Sequence, residues 1–467
     1  MDSNKKRTIA QIEKHKESLF DSRDDISLTN ILNSEACQRI FSECREFRDR
    51  LYTPFRTVFM FIKQVINPDK SCKKAVASLA AEQLSVAGKS ISTSTGPYCK
   101  ARKRLPEEAV KELVQEVGKS ASKCAQPRWK PYGRELKVFD GSTIKMADTK
   151  SNQKVFPQHS NQKKGAGFPI ARMMVVMSLT VGTVIDYAVG AYKGKGTGES
   201  ALLRSIFDCI EENDIALGDR YFPSFFVMAD LKKLGADGIF RGQGQRHYDF
   251  RTGERLGKND HIVDWKKPIQ RPEWMSQADY DAYPDQISVR EFKVNGNVYA
   301  TTFLNSKKYH KKELAKIYEM RWHVELNLKS IKSIMGMDFL PCKTPEMVKK
   351  EIGIHFLAYN FIRVIMAESC VKHNAIPWQI SFKGTVQLVN EFMPYFLNPR
   401  ENKNKMMYAE LLKLIVKNKV GDRPGRVEPR MVKQRRKPFP TLNRPRFVEK
   451  EKLMRKIEKR ISRNAEA

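Results

Sequence analysis

Acidic residues, paired cysteines and long apolar runs are all scarce in this chain. Its 467 residues include 53 Asp and Glu against 85 Lys and Arg, which gives a formal net charge of +32 at pH 7. The eight cysteines form no CxxC pair, so the sequence indicates neither a zinc site nor a disulfide framework and fits a reducing cytoplasm. No apolar segment follows Met1, so no secretory signal is indicated.

The strong positive charge predicts a polyanionic partner. Nucleic acid is favoured over a membrane, because no lipidation signal or amphipathic anchor is evident, and we expect a nucleoid-associated cytoplasmic protein. The most apolar helix candidate, residues 346–370, contains Lys, Glu, His, Asn and Arg, so we expect a core helix rather than a membrane span. With 41% hydrophobic residues the chain can fill roughly three globular domains.

Residues 1–125 are predicted to form a helical, DNA-binding domain, because short apolar periods occur there without strand alternation. Within it, residues 73–105 predict a helix ending near Gly88, a Ser/Thr turn, and a second helix with a basic run. The basic residues are Lys100, Arg102, Lys103 and Arg104. Such a pair is either a helix-turn-helix DNA reader or one of the many helix pairs without that role.

Residues 130–244 are predicted to form the first part of an α/β layer. The expected order is three strands, a helix, a strand, a helix and a strand, with a hairpin at Val181-Gly182-Thr183. Asp140 is placed at the end of the first strand and Asp219 at the end of the fourth. Because neighbouring strand ends meet at one edge of a sheet, we expect the two carboxylates to be neighbours.

Residues 245–310 are predicted to be a β-rich insertion rather than more of this layer. Strands are expected at HIVDW, QISVREFKV and NVYATTFL, and the last two are joined by the hairpin signal Asn295-Gly296.

The remaining sequence is predicted to complete the core and then become strongly basic. Residues 311–400 are expected to be helical, with one helix beginning at Thr344-Pro345 because Thr is a capping residue and Pro suits a first turn. In the C-terminal region, 401–467, the segment 423–446 has nine Lys or Arg, one Glu and five Pro. This composition predicts an extended tail that orders against phosphate.

The stretch IYEMRWHVELNLKSIKSIMG, residues 317–336, has helical apolar spacing and an unusual polar stripe. On one helix the stripe spans roughly 80°. It consists of Tyr318, Arg321, Glu325, Lys329 and Lys332, opposite an apolar back of Met320, Val324, Leu328, Ile331 and Ile334. Either the stripe is a solvated face with i,i+4 ion pairs, or its carboxylate binds a metal and its cations bind phosphates.

The carboxylates of Asp140, Asp219 and Glu325 form a set suited to phosphodiester chemistry if the striped helix packs on the sheet. Two Mg²⁺ ions about 4 Å apart, for which Mn²⁺ can substitute, activate an attacking oxygen and stabilise the leaving 3′-oxygen. Clustered without cations, the three groups would raise each other's pKa values.

The residues around these acids resemble a known family. Tyr318, Arg321, Glu325 and Lys332 match the signature Y-(2)-R-(3)-E-(6)-K of the type-four family of bacterial insertion-sequence DDE transposases. FDGST around Asp140 and GDRYF around Asp219 are similar to its two aspartate motifs, and its members have a β-rich insertion at the corresponding place. The resemblance covers roughly residues 130–375.

The resemblance implies an RNase H-like mixed sheet with a β-rich insertion, an N-terminal helical domain and a basic C-terminal tail. It also implies cleavage of double-stranded DNA at the element's terminal inverted repeats and joining of the 3′ ends to target DNA, in some members through a hairpin. Asp140, Asp219 and Glu325 would bind metal, while Tyr318, Arg321 and Lys332 would hold the DNA end. The helix geometry adds Lys329 as a phosphate contact, and pairing two ends suggests a homodimer on DNA.

Other candidates have structural interpretations beside functional ones. Arg220 is either a salt-bridge partner or a DNA contact, Arg241 is a weaker DNA candidate, and His323 is either structural or an acid–base group. The Gly-rich segment 190–200 lacks phosphate-loop spacing, so no nucleotide cofactor is expected. The acids expected to be structural are Asp148, Asp186 and Asp208, and the aromatics that either fill the core or stack on a base are Trp265, Trp274 and Tyr299.

Three functions remain open at this point. The first is an active cut-and-paste transposase, which the three acids favour. The second is a catalytically silent DNA-binding repressor derived from one, which the charge permits equally well. The third is a nuclease or resolvase on the same core, which would cut without joining strands.

Overall fold

The chain folds into helices that pack on both faces of one large sheet. The computed structural model describes residues 28–44, 47, 51–194, 196–394, 401–421 and 442–465. The helices before the sheet are α1 (Leu28–Leu32), α2 (Glu35–Ser42), α3 (Pro54–Ile66), α4 (Cys72–Ala87), α5 (Gly96–Arg104) and α6 (Glu107–Lys123). As predicted, α4 ends at Gly88, whose φ of 64° suits a residue without a side chain.

The central strands have the expected order along the chain. They are β1 (Leu136–Met146), β2 (Ile170–Ser178), β3 (Val184–Ala191), β4 (Ile215–Gly218) and β5 (Asp237–Arg241), with α7 (Lys150–Val155), α8 (Glu199–Arg204) and α9 (Phe225–Lys233) between them. In the sheet they lie in the order β3-β2-β1-β4-β5, with β2 antiparallel to both neighbours and β4 parallel to β1 and β5. This confirms the RNase H-like mixed sheet. The sequence predicts a helix over residues 198–213, but helix α8 already ends at Arg204.

The β-rich insertion extends the same sheet, which corrects the expectation that it stands apart from the layer. Its elements are β6 (Glu254–Gly257), β7 (Asp260–Lys266), α10 (Gln277–Asp281), β8 (Gln286–Val294) and β9 (Asn297–Thr301). Strand β9 pairs antiparallel with β5, so the order continues as β5-β9-β8-β7-β6. Without β9, the edge of β5 would have unpaired backbone N–H and C=O groups, which is unfavourable, and β9 pairs with them. Strand β6 was not predicted, whereas the Asn295-Gly296 hairpin is confirmed.

The chain then returns to the core through helices. They are α11 (Lys311–Glu319), α12 (Trp322–Lys329) with a π-helical turn (Ser330–Ile334), strand β10 (Phe339–Leu340), α13 (Pro345–Lys372), α14 (Phe382–Phe392), α15 (Glu401–Lys417) and α16 (Arg446–Ala465). The predicted cap at Thr344 is present, and its side chain accepts from the Met347 N–H. Helix α16 was not predicted, and most of the proline-rich tail, residues 422–441, lies outside the described residues.

Helix α13 is the central core helix. Among the described helices it alone is long and apolar enough to cross a membrane, yet 94% of its apolar window is buried inside the protein, as predicted for a core helix. Asn360 on α13 is fully buried and donates to the carbonyls of Val114 and Val184, while its own oxygen accepts from the Val184 N–H. It therefore ties α6 and β3 to α13 with every polar atom satisfied.

The two faces of the sheet pack against different helices. Val138 and Val175 share one core with α6 and α13, whereas Phe139 and Met174 share the other with α8 and α9. Residues alternate between the faces along each strand, so Asp140 and Ser142 point to the face that α12 and α13 cover.

Candidate active site

The two aspartates lie side by side on parallel strands. Val138 of β1 is in register with Leu217 of β4, and two residues further along each strand come Asp140 and Asp219. Strand β4 ends at Gly218, where a Cβ atom would lie 2.4 Å from the Phe139 ring. The turn after it is closed by Asp219, whose Oδ1 accepts from the Tyr221 N–H at 2.8 Å.

Asp140 lies inside β1 rather than at its end, which corrects the sequence expectation. The strand continues to Met146 because β2 pairs with it as far as Lys145, beyond the end of β4. The edge of β1 next to Asp140 is therefore free of the β4 ladder, and the Asp219 turn fills that place.

The segment containing Glu325 is two helices rather than one. Around Met320 four backbone N–H groups bond to carbonyls three residues back instead of four; the donors are Met320, Arg321, His323 and Val324. This tight turn separates α11 from α12, and the π-helical turn follows at Ser330. The single helical stripe predicted from the sequence is consequently divided, and Ile334, placed on the apolar back, is 38% exposed.

Arg321 and Glu325 pair with each other within reach of Asp140. The Arg321 Nη2 lies 2.8 Å from Glu325 Oε1, and their side chains are 19% and 38% exposed. Burial raises the pKa of Asp140 to about 6; Arg321 and the Gly141 N–H oppose this, while the negative charges of Asp219 and Glu325 add to it. Asp219 and Glu325 are thus both close enough for their charges to act on the Asp140 carboxyl.

These carboxylates do not form a ready-made metal cage. Within the described residues, no group of three or more His, Cys, Asp or Glu side chains is arranged to hold a metal ion. The donor chemistry nevertheless fits a hard divalent cation, because Asp140, Asp219 and Glu325 all offer carboxylate oxygens and the protein raises the pKa of Asp140. A bound cation would lower the pKa of Asp140 and favour its ionised form.

Tyr318 lies beside this group. Its side chain is 9% exposed and packs edge-on against Tyr299, with ring centroids 5.3 Å apart. Burial raises the pKa of Tyr318, and the charge of Asp219 adds to this effect. The charges of Arg321 and Arg241 oppose it. The phenol is therefore a neutral hydrogen-bonding group at neutral pH, next to both an aspartate and an arginine.

Lys332 contacts the strand that contains Asp140. From the π-helical turn its Nζ donates to Ser142 Oγ at 3.1 Å. Burial lowers the pKa of Lys332 and Lys145 adds to this effect, while Asp338 opposes it. Ser142 was not singled out from the sequence, although the two-residue alternation of a strand places it on the same face as Asp140.

Two of the other predicted DNA contacts have exposed side chains. Lys329 is exposed and lines a separate cavity of about 290 Å³ with His323 and Trp378. Arg220 is also exposed. Arg102, in the predicted DNA-reading helix, is 6% exposed and has its guanidinium 3.8 Å from the Phe61 ring centroid, so it cannot face DNA.

The structural interpretations are mostly confirmed. Asp186 is buried and bonded to Gln115, and Trp265 and Tyr299 are core residues. Trp274 differs, since it is 49% exposed with the Arg204 guanidinium 3.7 Å from its ring.

Comparison with known proteins gives consistent matches. The sequence profile described as "Transposase DDE domain" matches residues 131–361, which include all three acids. The chain is 25% identical over 351 residues to the transposase InsG of insertion sequence element IS4 from Escherichia coli K12, covering 73% of this chain and 77% of InsG. The transposase of element IS421 from Escherichia coli is 31% identical over 83 residues, 18% of this chain and 22% of that protein.

Among solved structures, the chain is similar to a piggyBac transposase in a synaptic complex with hairpin DNA. The two are 10% identical, with a TM-score of 0.43, and 85% of each chain is covered. The profile match and the InsG relationship together show that this chain belongs to the type-four insertion-sequence family of DDE transposases.

Proposed function

We propose that this chain is an active cut-and-paste transposase that binds the ends of its own element as double-stranded DNA, cleaves them and joins the 3′ ends to target DNA. The observation that supports this most strongly is the placement of Asp140 beside Asp219 on parallel strands, with Glu325 near enough for its charge to act on Asp140. Burial, with a smaller contribution from the charges of Asp219 and Glu325, makes the Asp140 carboxyl harder to ionise, and such shifts are common at catalytic sites.

Asp140, Asp219 and Glu325 are proposed to hold two Mg²⁺ ions, for which Mn²⁺ can substitute. When bound, the ions activate the attacking oxygen and stabilise charge on the leaving 3′-oxygen. Arg321 donates to Glu325 Oε1, so in this arrangement Glu325 offers a metal ion its other carboxylate oxygen, and it offers both oxygens only when the ion pair opens. A DNA phosphate that attracts Arg321 would therefore release Glu325 for the metal.

The cations and the phenol beside the acids are proposed to position the DNA end. Arg321 offers a planar fork suited to a phosphate, and Tyr318 a neutral hydrogen-bond donor. Lys332, anchored on Ser142 of β1, would contact a phosphate near the scissile bond. Lys329 and Arg220, which are exposed, would contact the backbone further away, and a homodimer would bring two ends together.

The test uses the full chain, Mg²⁺ or Mn²⁺ and DNA carrying the element's own ends. Wild-type protein should cleave and produce joined products, whereas Glu325→Gln should reduce cleavage by at least about 10³-fold with end binding nearly unchanged. Glu319→Gln changes an exposed acid of α11 and is the matched control.

The other outcomes separate the competing functions. Wild-type binding without cleavage with either metal would support the repressor. Cleavage without joined products would support a nuclease or resolvase.

A further inference from the structure

The π-helical turn that contains Lys332 ends in a contact with the N-terminal helices. The carbonyl groups at a helix end have no partner within the helix, and that of Met335 accepts from the Lys70 ammonium in the loop between α3 and α4. A cation at this position also complements the negative end of the helix dipole. Lys70 thus completes the last turn of the catalytic segment from another part of the chain.

The glycine after Met335 makes room for this contact. Gly336 has a φ of 64°, and a Cβ atom there would lie 2.4 Å from the Lys70 Nζ. Lys70 is also attracted by the carboxylates of Glu351 and Asp338, which face it from α13 and from the loop after the turn. The ammonium is consequently held between three elements of the catalytic core.

Lys70 is in turn linked to the basic helix α5. The Tyr98 hydroxyl donates to Gln64 Oε1 at 2.9 Å, and Gln64 Nε2 donates to the Lys70 carbonyl at 2.7 Å. Arg102, also on α5, donates to Cys72 Sγ at 3.0 Å and to Cys342 Sγ at 3.4 Å. A continuous set of buried and partly buried contacts therefore runs from α5 to the end of the Lys332 turn.

We propose that Lys70 is a positioning residue for the transposase reaction, which holds the end of the Glu325 and Lys332 segment and couples it to the N-terminal helices. This inference rests on the proposed function, because its consequence is a correctly placed Lys332 and Glu325. Lys70 itself need not touch DNA or metal. It acts by keeping residues 330–336 in the one arrangement that places Lys332 on Ser142.

The test compares Lys70→Met with Lys63→Met in the full chain. Met keeps the apolar stem and removes the donor, and Lys63 is a partly buried lysine of the same helical region that pairs with Glu82 instead. Amide hydrogen exchange of residues 330–338 should speed up by about tenfold in Lys70→Met and stay unchanged in Lys63→Met. Single-turnover cleavage of end DNA should fall by about tenfold with the binding constant within about twofold of wild type.

Each result decides the proposal. Unchanged exchange in Lys70→Met would show that Lys70 does not hold the end of the segment. Faster exchange with normal cleavage would show that this contact has no role in the reaction. Partial recovery of both by Lys70→Arg would support it, because a merely space-filling role would already be met by Met. If wild-type protein does not cleave, the proposed function fails, and the exchange measurement still tests whether Lys70 holds the end of the segment.

Discussion

The β-rich insertion and the candidate active site both bury charge, but they treat it differently. In the insertion, Arg290 is 1% exposed and forms two bonds of 2.8 Å to the two oxygens of Asp260. Glu291, 2% exposed, accepts from Trp265 at 2.8 Å, Arg246 at 3.2 Å and His261 at 3.1 Å. Every one of these charges has its partner inside the fold.

In the active site the carboxylates outnumber the cation beside them. Arg321 pairs with Glu325. Asp140 accepts a hydrogen bond from the N–H of the next residue, Gly141, and its pKa is raised to about 6. A fully paired buried charge mainly fixes one arrangement of the chain. An underpaired one costs stability and is retained for the ligand that will complete it. The same side-chain change should therefore have opposite effects in the two regions.

The largest effect on stability is expected for Asp260→Asn. The change leaves the Arg290 guanidinium buried without its counter-charge, so the free energy of unfolding should fall by about 3 kcal/mol. Urea unfolding followed by tryptophan fluorescence measures this, since Trp265 lies in the same region. Asp264→Asn, at a more exposed position on the same strand, is the control and should change little. A loss below about 1 kcal/mol would mean that the insertion's pairs are as dispensable as surface ones.

For Asp140→Asn in metal-free protein we expect a smaller effect on stability, and one of opposite sign to that of Asp260→Asn. The amide removes a carboxylate that the fold disfavours, so stability at pH 8 should rise by roughly 1–2 kcal/mol while cleavage is lost. Thermal unfolding without divalent ions measures the first, and the end-DNA cleavage assay the second. A destabilised Asp140→Asn protein would contradict the conclusion that the Asp140 carboxylate costs the folded state stability.

The gain from Asp140→Asn should depend on pH. The folded pKa of Asp140 is about 6 against an ordinary value of 3.8, so between these values the folded state binds more protons than the unfolded state. The wild-type carboxyl therefore costs nothing below about pH 4, and its cost grows as pH rises through 6. The difference in unfolding temperature between the two proteins should widen over that window and be constant above about pH 7.

The smallest effect is expected for Ser142→Ala. The hydroxyl accepts a half-buried hydrogen bond from Lys332, so stability should change by no more than about 0.5 kcal/mol while cleavage falls a few-fold through a less fixed ammonium. Thr143→Ala, on the opposite face of β1, is the control for strand effects. Equal cleavage by both variants would show that Lys332 needs no anchor.

The sequence predicted the features that depend on local chemistry. The order of the five central strands, the Gly88 end of α4, the Asn295-Gly296 hairpin and the Thr344 cap all follow from residue type and spacing. The pairing of Asp140 with Asp219 could be predicted from the parallel strands that precede them.

The features that could not be predicted depend on distant partners. The sequence gives no sign that β9 pairs with β5, because an alternating strand is compatible with any free edge. The turn between α11 and α12 has helical apolar spacing, so its hydrogen bonds to carbonyls three residues back cannot be read from residue type. Arg102 has the appearance of a DNA contact, and only the fold shows that Phe61 and two cysteines surround it.

Continuity of the sheet from β5 into β9 also bears on protein engineering. A shortened enzyme made by excising residues 245–310 would strip β5 of its neighbour and leave a bare row of backbone donors and acceptors two strands away from Asp140. Such a deletion would invite aggregation before chemistry could be assayed. A compact version should instead retain β8 and β9 as a protective hairpin and shorten the chain only beyond it.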